Sequence, residues 1–176
     1  MIVGAYWSQR KESRDQAATR IATFLVNVAS RHQTLSTWFF KGKTKAAARS
    51  RELDLSVASV ARALTVNRRD VDRQSMPEVG FRLGIWNGDE VSFSVTIGSY
   101  SPYVGNHVVL TFADEHDWLD EPDRRDLLNA EISAFDPDHA VVTNRQILAK
   151  AGATDPWDAG WLTYARCSGV QEHTVS

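Results

Sequence analysis

The stretch from Gly80 to Gly98 constrains the fold more than any other part of the chain. Phe81, Leu83 and Ile85 alternate with Arg82, Gly84 and Trp86. Val91, Phe93, Val95 and Ile97 then alternate with Ser92, Ser94 and Thr96. A period of two means two strands, each with one apolar face. Asn87-Gly88 between them is a dipeptide that tolerates the positive φ angles of a tight turn. The reading is a β-hairpin with its apolar face on a core. Its register is strongly specified, because a slip of one residue would turn every apolar side chain to water. The other face carries short hydroxyls, an unusual choice beside Trp86.

The rest of the chain supplies partners for that sheet. Residues 2–7 alternate as a first strand. Ser13 and Gln16 form a capping box, and Ala17, Ile21, Phe24, Leu25 and Val28 follow as one helical stripe of about four turns. Leu35–Phe40 reads as an aromatic strand, Lys41–Lys45 as a basic loop, and Lys45–Arg51 as a short helix capped by Thr44. Asp54 is placed to cap a helix across Leu55–Leu64. Asn67–Pro77 is polar and reads as a loop. His107–Phe112 is a further strand. Asp120 or Glu121 caps a helix with Pro122 in its first turn and Leu127, Leu128, Ile132 and Phe135 as its buried stripe. Ala140–Val142 is a short strand, Thr143 and Gln146 a second capping box, and Leu162–Arg166 a last strand. The tail 171–176 is expected to fray. The expected architecture is α+β: one domain over residues 1–176, with an antiparallel or mixed sheet of five or six strands and helices packed on it.

Composition narrows the function classes. The 176 residues suffice for one domain with a sizeable core. A single cysteine, Cys167, makes no internal disulfide and fits a cytoplasmic protein. No run approaches the roughly 18 apolar residues of a membrane helix, and Met1–Trp7 is too short and lacks the basic leader of a secretory signal. Residues 1–80 hold 14 Lys/Arg against 7 Asp/Glu, and residues 81–176 hold 6 against 15. The two halves therefore carry opposite balances of +7 and −9.

Chemistry has few candidates. Asp136, Asp138 and His139, with His107 or His116, offer carboxylate and imidazole ligands for a metal-dependent hydrolase. An ordinary turn after a helix accounts for the same residues. Gly42-Lys-Thr lacks the upstream glycine of a phosphate loop, and no dinucleotide fingerprint or paired metal-binding cysteines occur. No cofactor is expected. Lys41, Lys43, Lys45, Arg49 and Arg51 beside Trp38-Phe-Phe40 give the segment 41–51 the composition of a nucleic-acid-binding module. A stronger signal is acidic: Asp114, Glu115, Asp117, Asp120, Glu121 and Asp123 surround Trp118. An aromatic anchor ringed by charge is a common composition of protein interfaces. The hydroxyl face of Ser92, Ser94 and Thr96, with Tyr100, is a second candidate surface.

An ordered series of segments completes the reading: Gly4-Ala-Tyr-Trp7 before a capped helix, Trp38-Phe-Phe-Lys-Gly42, Asn67-Arg-Arg-Asp70, Phe81 through Gly88, Gly98-Ser-Tyr100, and Asp136-Pro-Asp-His-Ala-Val-Val-Thr143. In this order they resemble the immunity protein 52 family of bacterial polymorphic toxin systems. The resemblance covers roughly residues 2–145 and leaves out Gln146–Ser176, with Trp157 and Trp161. It implies a cytosolic antidote that is not an enzyme and that binds and neutralises a cognate toxin, often a nuclease, by blocking its active site. It implies no catalytic residues, no direct nucleic-acid partner and no membrane. The expected toxin contacts are Asp114, Glu115, Asp117, Trp118, Asp120, Glu121 and Asp123, with Ser92, Ser94, Thr96 and Tyr100 second.

Overall fold

A computed structural model of the chain describes residues 1–66, 74–113, 120–152, 157 and 159–173. Among these, nine strands form one antiparallel sheet. They are β1 (Ile2–Trp7), β2 (Phe39–Phe40), β3 (Thr65–Val66), β4 (Phe81–Trp86), β5 (Val91–Ile97), β6 (Asn106–Phe112), β7 (His139–Thr143), β8 (Leu162–Ala165) and β9 (Gly169–Glu172). Their order is β2-β4-β5-β6-β1-β7-β8-β9, and β3 also pairs with β4. The sheet is therefore larger than the five or six strands expected. β2 and β3 hold two residues each, too few for a periodic signal. β9 takes in Gln171 and Glu172 from the start of the tail expected to fray; they pair with Thr163 and Leu162 in a C-terminal hairpin.

The central hairpin pairs as the alternation demands. Leu83 faces Val95, Ile85 faces Phe93, and Trp86 faces Ser92. Its connection is not the two-residue turn expected at Asn87-Gly88. The Asn87 N–H reaches the Val91 carbonyl at 2.9 Å. Asn87 Oδ1 accepts from the N–H groups of Asp89 and Val91 at 3.1 and 2.9 Å. Only Gly88 of the pair takes positive φ, at 88°. Asn87 serves the turn with its side chain, a role open to short polar residues.

Among the described residues five α-helices accompany the sheet: α1 (Arg14–Arg31), α2 (Lys45–Arg49), α3 (Val57–Ala63), α4 (Glu121–Phe135) and α5 (Arg145–Ala151). The capping box at Ser13 and Gln16 is present, and the expected stripe of α1 is buried. Asp120 caps α4 through the Asp123 N–H. Two caps differ from expectation. Ser56 caps α3 while Asp54 braces Ser56 and Ser59. Asn144 caps α5, and Thr143 is a buried strand residue instead. Leu35–Phe40 is mostly not strand: Gln33–Leu35 is a 3-10 turn, and Trp38 enters the core.

Aromatic rings hold helices to sheet on the core side. Trp7 stacks on Phe135 (5.7 Å between centroids), Phe135 meets Phe24 (5.4 Å), Phe24 stacks on Phe93 (5.8 Å) and Phe93 takes the edge of Trp38 (6.1 Å). This series links β1, α4, α1 and β5 through large buried surfaces. The opposite face of the sheet is built from the other alternation set. Across it, Gly84, Ser94, Val109, Gly4 and Val141 lie in one register row.

Candidate functional site

The outward sheet face is unevenly covered. Near β7, Trp157 packs against the Tyr6 ring at 5.2 Å and stacks on the His139 ring at 5.4 Å. The Tyr6 hydroxyl leans over Gly4, where an added Cβ would lie 2.8 Å from it. Burial first, then the nearby Glu131 carboxyl, pushes the Tyr6 hydroxyl up to about 12, so it stays neutral. Over β4 and β5 the face is open. An added Cβ at Gly84 would meet nothing within 4 Å, and its register partner Ser94 is half-buried. Ser92 is also half-buried. Thr96, between Arg82 and His107, is buried and offers no surface hydroxyl.

At the Ser92 end the open face runs into a cleft of about 970 Å³. Trp86, Asp89, Glu90, Ser92, Thr111 and Arg145 line it, among others. Trp86 is fixed there by its indole N–H, which donates to the Asp89 carbonyl at 2.9 Å. A second cleft, lined by Lys41, Lys43 and Lys45, shares Trp86 and Asp89 with the first. Sequence reading gave Asp89 and Glu90 no role and did not connect them with Thr111 and Arg145, which line the same cleft. The one signal was the proximity of two acids to Asn87-Gly88.

The acidic run follows in sequence on β6, whose last residue Phe112 and its neighbour Ala113 line the same cleft. The Ala113 N–H donates to the Glu90 carbonyl at 2.8 Å. Asp114, Glu115, Asp117 and Trp118 lie outside the described residues. The run's remaining acids have intramolecular duties. Asp120 caps α4, Glu121 pairs with Arg125 at 3.1 Å, and Asp123 approaches the buried His32 ring at 3.8 Å. Tyr100 lies beyond the far end of β5, roughly 20 Å along the strand from the acidic end by the usual rise per residue. Tyr100 thus stands at the opposite end of β5 from Ser92.

Of the hydrolase candidates, Asp136 and Asp138 are occupied otherwise, and His116 lies outside the described residues. Asp138 Oδ2 accepts from the Ser8 N–H at 2.8 Å and the Ser8 hydroxyl at 2.9 Å. Its other oxygen faces Arg166 at 3.3 Å. Asp136 ends α4 in the left-handed conformation (φ 47°, ψ 61°). Its carbonyl accepts from Arg10 and Arg166 at 3.1 and 2.6 Å, and its carboxylate faces the same two guanidinium groups. Guanidinium groups on these carboxylates disfavour a divalent cation. Among the described residues no three His, Cys, Asp or Glu side chains group to hold a metal ion. The turn works as a clasp between the exit of β1 and the β8–β9 hairpin. The basic segment is likewise partly committed. Arg49 donates to the Gly88 carbonyl at 2.8 Å, Arg51 sits 5.3 Å over the Phe40 ring, and Trp38 is fully buried and unavailable for base stacking.

Residues 1–170 match the family described as immunity protein 52. The chain belongs to that family. Among curated proteins none matches it. Membership implies an immunity protein of a toxin system, with a toxin as its partner. The match extends past residue 145, so Trp157 and Trp161 fall within the family region. Their packing shows why the C-terminal segment is part of the unit. Trp157 covers Tyr6 and His139, and Trp161 lies beneath the Arg124 guanidinium at 4.7 Å while its N–H donates to Val142. Among the described residues of this family member, no helix is long and apolar enough to cross a membrane.

Proposed function

We propose that the chain neutralises a cognate nuclease toxin in the cytoplasm by binding over its active site, without turnover of its own. The family match over residues 1–170 carries the toxin partner. The nuclease reading follows from charge. A nuclease presents Lys and Arg to phosphate, and that groove attracts carboxylates equally well. Asp89 and Glu90 line a cleft together with Ala113, the residue that precedes the run Asp114–Asp123 in sequence. Ser92 and Ser94 continue this surface along the open face as hydrogen-bonding groups.

Measured association with the purified toxin domain tests this surface. Charge reversal at Asp114, Glu115 and Asp117 slows association and flattens its dependence on salt. Trp118→Ala chiefly speeds dissociation. Wild-type rates in both sets, from folded proteins, rule out the acidic segment as the interface.

A further inference from the structure

One end of the sheet carries its charges in bands. Trp86, Ser92, Thr111 and Ile2 lie in one register row across β4, β5, β6 and β1, with Thr143 of β7 next. The first four line the cleft of about 970 Å³ as its floor. Asp89 and Glu90 line it from the β4–β5 turn. Arg145, just past β7, lines it from the other side, with Met1, whose ammonium donates to the Phe112 carbonyl at 3.3 Å. On the β2 side of Trp86 and Asp89, Lys41, Lys43 and Lys45 line the adjoining cleft. The order across the sheet is thus basic, acidic, basic. At about 4.8 Å per strand, the row from Trp86 to Thr143 measures roughly 19 Å. Asp89 and Arg145 are both exposed, and among the described residues neither charged group has an ion partner.

From this banding we infer that the cleft seats an extended segment of the cognate toxin, with a Lys or Arg side chain against Asp89 and Trp86 and an Asp or Glu side chain against Arg145. The inference rests on the immunity reading. Like charges set against each other across an interface cost affinity, so alternating bands select a partner with the reverse alternation. A nucleic-acid strand is uniformly anionic and would press phosphate against Asp89 and Glu90. A polypeptide can alternate, and roughly six extended residues span the row at about 3.3 Å each. The cation has a prepared seat. The Trp86 ring is fixed by its N–H bond to the Asp89 carbonyl at 2.9 Å and by the Phe39 ring at 6.5 Å, and an indole attracts a cation beside the carboxylate. Ser92 and Thr111 offer hydroxyls to the backbone of the segment between the two charges.

The test measures dissociation of the full chain from the purified cognate toxin domain, as wild type, Asp89→Lys, Arg145→Glu and Lys150→Glu. All three positions are exposed, and each variant melts with the wild type. Asp89→Lys and Arg145→Glu each dissociate faster by about tenfold or more, although they change the net charge in opposite directions. Lys150→Glu, on α5 outside the cleft, makes the same charge change as Arg145→Glu and keeps the wild-type rate. Wild-type dissociation of either cleft variant, or tighter binding by Arg145→Glu, from a toxin that the wild type binds overturns this contact and leaves the immunity reading standing. An equal loss in Lys150→Glu overturns it too, because the toxin would then be responding to overall charge. A lowered melting temperature in either cleft variant also contradicts it, because the charge would then be serving the fold. Failure of the wild type to bind removes both.

Discussion

Asp138 receives both the backbone N–H and the hydroxyl of Ser8, 130 residues away in sequence. Burial works against its charged form, but the Ser8 hydrogen bonds and the Arg166 charge outweigh it. The carboxyl is held below the ordinary aspartate range. A depressed folded pKa adds stability that is present above the unfolded value of about 3.9 and lost as pH falls through the folded value. Asp138→Asn should therefore cost about 1 kcal/mol near neutral pH, with the difference from wild type shrinking below pH 4. Urea unfolding at several pH values checks this. A variant as stable as wild type at pH 7 would show that the clasp contributes nothing.

Gly88 offers a second test. Its φ of 88° disfavours any side chain, and an added Cβ would lie 2.8 Å from the Phe39 ring. Gly88→Val is expected to destabilise by about 1–3 kcal/mol. An unchanged unfolding midpoint would count against this turn conformation.

Glu131 is fully buried on α4, and neither carboxyl oxygen has a hydrogen-bond partner. Burial raises its pKa well above the ordinary value. A raised folded carboxyl pKa makes stability fall as pH rises from the unfolded value of about 4.3 toward the folded value. Tyr6 opposite stays neutral over this range. Glu131→Met should stabilise the protein at pH 8 by about 1–3 kcal/mol and less at pH 5. Equal effects at the two pH values would contradict the assignment.

Gly84 lies in the open part of the outward face. Its Cβ position is empty and its φ is not positive, so Gly84→Arg should leave the melting temperature within a few degrees of wild type. If a basic toxin groove crosses this face, the same variant binds more weakly through bulk and like charge. Unaltered toxin binding would place the contact elsewhere.

Much of the fold was legible because burial imposes a period. Val91, Phe93, Val95 and Ile97 are all buried, and so is the stripe from Ala17 to Val28. What escaped was set by pairing between distant segments. Trp38 looks like a strand residue among aromatics, yet its place is decided by Phe93 and by the Leu35 carbonyl that takes its indole N–H. Asp136 and Asp138 look like metal ligands until Arg10, Arg166 and Ser8 arrive from both ends of the chain. Of the candidate surface, the hydroxyl alternation was visible, but the burial of Thr96 between Arg82 and His107 needed the neighbouring strands.

The central claim is inhibition by occupancy, and titration of the toxin's activity tests it most directly. The purified chain is added to the purified cognate toxin domain while nucleic-acid cleavage is followed. The account predicts that cleavage falls in proportion to the fraction of toxin bound and is abolished at saturation, with the chain recovered unchanged. Full cleavage in the presence of saturating chain would contradict it.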